Sequence, residues 1–525
     1  MDSDQRARKG PNNRHFSRRK LFAGAAAVSA GAVVGSQLPT VAHAAPEGGL
    51  HGAELRGMFL TSKDPLAEGR FGAMFKRLPA FTPSDDLLTS LAQTMVEEDT
   101  SDIFLNTSPR LFAGFTFIGQ FIDHDITLDT TPLDKQQQDP DAKVNFRTPR
   151  YDLDSVYGKG PGNDPQFYDP TDRDKFLLAP NGNVTPDGKD VLDMPRDGNG
   201  RAVIPDQRND ENLILIQFHK AVAQFHNKIV DYVRSQGMRK EWVFEAARRL
   251  ARWHYQWAVI HDFIPRMTGD DFVGKSGTVY KEVTGKSPVI TLNYYKPTNK
   301  DGRPFMPVEF AVAAYRFGHS LIRPFYVISD SGKVDIFGPN GERNLNGGRP
   351  IPSDLVMVWN NILPDLGNPA ARPPRKIDTK LSIPLSALPG SAVPPPDPTK
   401  NLAVRNTLRG KRVGLPSGQQ VAKAMRVPVL SNATLELSND PGWGGEAPLW
   451  YYILKEAELP PYNGERLGPV GGRIMAETLV GLLQRDPNSY LYLDPAWKPT
   501  SPIASTTGKF EFSDLLKFAG AAPSA

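Results

Sequence analysis

From Ser84 onward the chain alternates apolar stretches of helical period with polar segments rich in Gly and Pro. "SDDLLTSLAQTMVEE" (84–98) opens on Ser and Asp, residues that cap helix starts, and predicts a first helix. A second is predicted over 110–127, where Phe117, Ile118, Phe121 and Ile122 are apolar at helical spacing. Residues 130–206 are rich in Asp, Pro and Gly and read as a long loop region. Two long helical patterns follow at 207–235 and 240–263. A hairpin candidate at 276–292 leads into a helix near 308–322. Residues 323–400 are mixed, and "LPGSAVPPPDPTK" (388–400) reads as a surface loop. Shorter helices are predicted at 400–410, 416–426, 446–456 and 468–484. Residues 45–84 look irregular. No internal repeat is visible, and no Pro/Gly segment divides two cores. The expectation is one large, mainly α domain with long loops and little β.

The totals add exclusions. The 525 residues contain no cysteine. Disulfides, thiolate ligands, Cys-bound zinc, iron–sulfur clusters and a CxxCH haem attachment are therefore ruled out. The formal charge of +4 comes from the first 44 residues, which hold seven basic and two acidic side chains. The remainder carries 55 basic and 56 acidic residues, so no basic surface for nucleic acid is implied. Those 44 residues resemble a twin-arginine export signal. "SRRKLF" (17–22) holds adjacent Arg18 and Arg19, a weakly apolar run extends from Phe22 to Ser36, and "AHA" (42–44) offers a cleavage site. An ordinary signal peptide or a membrane anchor is the alternative. No later segment reaches the roughly 20 apolar residues of a membrane span. The expected division is an exported signal at 1–44, an arm with the first helix at 45–100, and a catalytic domain at 101–525, delivered to a periplasm or outside the cell.

The second helix poses a physical problem. "FIGQFIDHDITLD" (117–129) sets Asp123, His124 and Asp125 in an apolar helix, where an unpaired charge costs several kcal/mol. Either the turn faces solvent or something compensates the charges. Seven histidines follow the export segment. His219 and His226 lie seven apart on one predicted helix, as do His254 and His261, amid apolar residues; packing with a satisfied ring nitrogen is the simpler reading. His319 follows Gly318 in "AAYRFGHSLIRP" (313–324). A helix-interior glycine costs about 1 kcal/mol and is tolerable where something flat must approach the backbone.

Separated motifs from Phe115 to Arg485 together resemble the animal-type haem peroxidases, the family of myeloperoxidase, lactoperoxidase and the more distant cyclooxygenases. "GQFIDHD" (119–125) resembles the distal helix. The resemblance makes His124 the distal histidine, Gln120 a residue ordering water or halide above the iron, and Asp123 a carboxylate that esterifies a haem methyl. "RTPRYDLDSVYG" (147–158) resembles the calcium loop, with Thr148, Arg150 (through its carbonyl), Asp152 and Asp154 as ligands completed by Asp125. Relatives often have serine where Asp154 stands; aspartate is a harder, charged ligand. In "DQRNDENLILIQFHKAVAQFHNKIV" (206–230) Arg208 matches the distal arginine and Glu211 the second ester-forming carboxylate. A plain i,i+3 ion pair is the alternative for these two. Asn212 stands where myeloperoxidase has its sulfonium-forming methionine, so that link is excluded. "YRFGHSLIRP" (315–324) resembles the proximal segment, with His319 as iron ligand and Arg316 near the haem. "NLAVRNTLRGKRVGLP" (401–416) supplies Asn406 for the free N–H of His319 and Arg409 for the propionates. Relatives often have Asp-His where Arg412-Val413 stands here.

The resemblance implies haem b and one calcium ion as cofactors, with hydrogen peroxide and a small anionic or phenolic reductant as partners. His124 would serve as general base and then acid, Arg208 would stabilise the departing oxygen, and halides, thiocyanate or phenols would be oxidised through an oxyferryl intermediate. Two rivals remain. A fatty-acid dioxygenase would need a tyrosine three residues before the proximal histidine, where Arg316 stands; Tyr315 is one further. A secreted binding or adhesion protein could keep the fold without the activity.

Overall fold

Ser84 caps the first helix by accepting the Leu87 N–H at 3.1 Å, and α1 runs over Asp85–Thr94. In this computed structural model the described residues are 69–98, 106–129, 144–145, 147–296, 304–339, 341–368, 371–388 and 400–522. The export segment expected at 1–44 and the arm as far as residue 68 lie outside them. From Gly69 onward the described residues belong to one compact unit.

The architecture is helical. After α1 come α2 (Ala113–Ile126), the single turn α3 (Asp154–Tyr157), and the long pair α4 (Leu213–Ser235) and α5 (Val243–Ala258). Short α6 (Ile264–Thr268) and α7 (Val308–Ala311) precede α8 (Leu402–Arg412), α9 (Gly418–Met425), α10 (Leu449–Glu458), α11 (Pro469–Arg485), α12 (Tyr490–Leu493) and α13 (Phe512–Ala519). Strands are short. Gly69–Gly72 pairs antiparallel with Val144–Asn145 and parallel with Met306–Pro307. Ala179–Val184 forms a hairpin with Asp190–Asp193 inside the segment expected to be loop. Val273–Gly274, Tyr280–Lys281 and Val289–Ile290 make a three-stranded patch where a hairpin was expected. No described helix is long and apolar enough to cross a membrane.

The apolar spacing of α2 places Ile118, Phe121, Ile122 and Ile126 at no measurable exposure. Phe121 meets Phe218 of α4 edge-on at 5.0 Å and Tyr255 of α5 at 6.1 Å. Burying each such side chain contributes about 1.5–3 kcal/mol. α4 lies between α2, α5 and α13, so α2 is held on a rigid bed.

Three expected helices differ in ways that matter. The 207–235 helix begins only at Leu213, because Asn212 caps it by accepting the Leu215 N–H at 2.8 Å; Gln207–Asp210 is a separate 3-10 turn. The 240–263 helix ends in a π-helical turn at Val259–Phe263 before α6. The 308–322 segment is not one α-helix: α7 stops at Ala311, Ala313 leaves helical geometry (φ −127, ψ −73), and Ala314–Leu321 continues as 3-10 helix. The segment holds good helix formers (Ala311, Ala313, Ala314, Arg316, Leu321) beside Val308, Val312 and Gly318, so local preference alone does not account for the break. A tertiary tie holds its path, the Tyr315 Oη donating to the Gly119 carbonyl of α2 at 3.1 Å, and locally Arg316 Nε donates to the Ala311 carbonyl at 2.9 Å.

One glycine is required by close approach. The Gly347 and Gly348 N–H groups donate to the Glu211 and Asp210 carbonyls at 3.0 and 2.8 Å, clamping the 3-10 turn against 344–349. A Cβ on Gly347 would stand 1.8 Å from the Asp210 carbonyl oxygen.

Candidate functional site

α2 presents Gln120, Asp123, His124 and Asp125 on successive faces, about 100° apart per residue. His124 is 5% exposed. Its Nδ1 lies 2.9 Å from Asn209 Oδ1, and Asn209 Nδ2 lies 3.1 Å from His219 Nδ1. An amide oxygen only accepts and an amide nitrogen only donates. In this amide orientation His124 donates from Nδ1 to Asn209 Oδ1, and Asn209 Nδ2 donates to His219 Nδ1. His219 suits that role because burial pushes its pKa down to about 3, keeping it neutral. His124 Nε2 faces Glu211 Oε1 at 3.8 Å. Burial raises the Glu211 carboxyl to about 7, against the pull of Arg208. Gln120 Nε2 donates to Glu211 Oε1, and its Oε1 accepts from Asn212 Nδ2 at 3.4 Å.

Arg208 is held from two sides. Its Nη2 donates to the His124 carbonyl (2.8 Å) and to Asp206 Oδ2 (2.8 Å), and its Nε donates to Asp206 Oδ1 (3.1 Å). Burial alone would raise the Asp206 carboxyl, but Arg147 and Arg208 hold it well below the usual carboxylate range. Asp123 accepts from Thr127 Oγ1 at 3.0 Å, at the C-terminal end of α2.

Asp125 points the other way. Carboxylate oxygens of Asp125, Asp152 and Asp154 all lie within 4.8 Å of one another. Leu153 N and Ser155 Oγ donate to Asp125 at 3.2 and 3.0 Å, and Thr148 Oγ1 donates to Asp152 at 3.2 Å. Burial, with Asp152 and Asp154 adding repulsion, drives the Asp125 pKa well above the carboxylate range. This all-oxygen, like-charged set fits a hard divalent cation. Arg150 sits in the same loop, its N–H donating to the Thr148 carbonyl at 2.7 Å.

On the other segment, His319 Nδ1 lies 2.7 Å from Asn406 Nδ2. Burial, aided by Arg316 and Arg405, lowers the His319 pKa to about 3, so the ring is neutral and a competent ligand. With a metal on Nε2 the proton would sit on Nδ1, and the Asn406 amide would turn over to present its oxygen. Beside it, a Cβ on Gly318 would meet no described atom within 4 Å. Arg409 donates to Asp129 at 3.2 Å, and its Nε is buried without a partner among the described residues. Burial, with Arg316 adding repulsion, pushes its pKa down to about 10. A neutral imidazole, open space at a glycine and the clustered cations of Arg316, Arg405 and Arg409 fit a flat, dianionic, iron-bearing ring. The sequence patterns did not single out Asn209, Asp206 or Arg147, and they left His219 as a packing residue. Their only sequence signal is position: each lies within two residues of a motif residue or one helical face away. The other packing histidines are satisfied as expected, His226 by Tyr157 Oη at 2.9 Å and His254 by the Leu250 carbonyl at 2.7 Å.

Comparison with known proteins agrees. The family described as animal haem peroxidase matches residues 132–438, which include Arg208, Glu211, His319, Asn406 and Arg409; His124 lies just before. The chain is 28% identical over 168 residues to a chorion peroxidase of Aedes aegypti, covering 29% of this chain and 20% of that protein. It is 25% identical over 160 residues to dual oxidase 1 of Caenorhabditis elegans, covering 30% of this chain and 9% of that one. The matches thus span a fifth or less of these relatives. Peroxidase A from Dictyostelium discoideum shares the fold at TM-score 0.56 and 14% identity, over 87% of this chain and 93% of that one. A fatty acid alpha-dioxygenase of Arabidopsis thaliana does so at 0.54 and 14%, over 84% and 76%. With a match across more than half its length, resting on a helical fold shared with these structures, the chain belongs to the animal haem peroxidase family.

Proposed function

We propose that this chain is an exported haem peroxidase that reduces hydrogen peroxide and oxidises halides, thiocyanate or phenolic donors. The observation that carries this is the setting of His124, buried on α2 with Nδ1 against Asn209 and with Arg208 bound to its carbonyl. His319, oriented by Asn406, would hold the iron of haem b, with Arg316 and Arg409 at its acidic edge; the haem supplies the redox chemistry when bound. His124 Nε2 takes the proton of hydrogen peroxide and returns it to the departing oxygen. Arg208, aimed by Asp206, stabilises the negative charge that develops there. Gln120 orders the water or halide nearby.

Ester bonds from Asp123 and Glu211 to the haem would remove buried charge, and the raised Glu211 pKa supports that reading. Asp125, Thr148, Arg150, Asp152 and Asp154 would hold one calcium ion. Export as a folded protein through the segment at 1–44 suits a chain that acquires haem first, with 101–525 as its catalytic domain. The dioxygenase alternative lacks a tyrosine at the Arg316 position, and the Tyr315 hydroxyl is committed to the Gly119 carbonyl.

The test is the absorption spectrum of the haem-supplied chain before and after one equivalent of peroxide, beside His124→Ala and His319→Ala. A Soret band that shifts with peroxide, responds slowly in the first variant and weakens in the second supports the reading. No Soret band in folded, haem-supplied protein sinks it.

A further inference from the structure

The candidate cation site and the distal arginine are joined by a chain of bonds. Asp154 Oδ1 accepts from Arg147 Nη1 at 2.9 Å, and Arg147 Nη2 donates to Asp206 Oδ2. Asp206 grips Arg208 through both oxygens, and Arg208 Nη2 returns to the carbonyl of His124, the residue before Asp125. The side chains of Arg147 and Asp206 are 2% and 4% exposed. Arg147 belongs to no motif role described above, yet it is among the largest fully buried side chains.

Asp154 belongs both to the carboxylate cluster and to this chain of bonds: one carboxylate oxygen from each of Asp125, Asp152 and Asp154 lies within 4.8 Å of the others, and Asp154 Oδ1 holds Arg147. A divalent cation held by Asp125, Asp152 and Asp154 would offset their mutual repulsion. It would also fix the Asp154 carboxylate, whose other face anchors Arg147. Without it, the three carboxylates repel one another, and the anchor of Arg147 is free to shift.

We propose that Arg147 and Asp206 are positioning residues that couple occupancy of the Asp125–Asp152–Asp154 cation site to the setting of Arg208. Calcium bound at the loop would tighten binding of an anion beside Arg208, and by linkage the anion would tighten calcium by the same factor. The inference rests on the reading of Arg208 as the distal arginine and is tested separately from turnover.

Calcium is titrated into the haem-supplied full chain by calorimetry, with and without saturating cyanide, and cyanide affinity is read from the Soret band with calcium and with chelator. The expected coupling is five-fold or more in the wild type, the lower end for coupled sites. Arg147→Lys keeps the charge but replaces the two nitrogens that hold Asp154 and Asp206 by a single one on a different reach; Asp206→Asn keeps an acceptor for Arg208 but loses the charge. In each the coupling factor should fall toward one, with cooperative unfolding and the Soret band retained. A wild-type factor of one, the absence of calcium binding, or unchanged coupling in whichever variant folds would overturn the proposal. Loss of the Soret band in wild type would instead sink the peroxidase reading.

Discussion

Asn209 sits between two imidazoles, and replacing it by leucine tests what sets the distal histidine. Leucine has the same side-chain branching but offers neither acceptor nor donor, so the His124 and His219 Nδ1 atoms lose partners now at 2.9 and 3.1 Å. Leaving a buried polar group unpaired costs about 1–3 kcal/mol, so two cost about 2–6 kcal/mol of stability. The effect on rate follows from the tautomer. A net hydrogen bond of about 1–1.5 kcal/mol favours the Nδ1–H form with Nε2 bare; without it the basic form loses about ten-fold of its advantage. The rate of the peroxide-induced Soret change, followed by stopped flow, should fall about ten-fold in Asn209→Leu. In Asn209→Asp a carboxylate would stabilise charged His124, moving the acid limb of the pH–rate profile upward. A folded Asn209→Leu protein reacting within two-fold of wild type would refute the argument that this amide sets the tautomer.

The buried histidines predict an acid weakness. Burial lowers the His254 pKa to about 4, so as pH falls below about 6.5 the unfolded chain binds a proton that the folded one refuses. Stability is lost between those values, by about 3 kcal/mol for this residue, and chemical denaturation of His254→Phe should show a correspondingly shallower pH slope. Gly347→Ala drives a Cβ into the Asp210 carbonyl; a loss of about 1–3 kcal/mol in thermal unfolding is expected, and an unchanged midpoint would mean that the clamp is loose. Chelation should lower the melting temperature, since calcium at a hundred times its dissociation constant stabilises by about 2.7 kcal/mol; Asp125→Asn should abolish that response, and identical melting with and without chelator would remove calcium from the picture.

Periodicity and capping in the chain were enough to place α1, α2 and the four short C-terminal helices near their observed bounds, because each carries its own apolar face, and α1, α8 and α9 a side-chain cap as well. The residues of the candidate site were also legible, since Asp123–His124–Asp125, Arg208, Glu211, His319 and Asn406 stand in short ordered motifs. What the sequence by itself determined was therefore the inventory: which titratable groups exist, on which segments, and with what local spacing. What those groups are bonded to was decided only by the tertiary structure. The His124–Asn209 and Arg147–Asp206 bonds link residues 85 and 59 apart in the chain, and no local pattern encodes such pairs. The segment carrying His319 shows the same limit from the other side. Its spacing reads as one α-helix, but its path follows a hydroxyl bonded to α2 and packing against α7, α10 and α11. A local signal determines structure where it outweighs the surroundings; where it is weak, long-range contacts choose the geometry, and with it the chemistry.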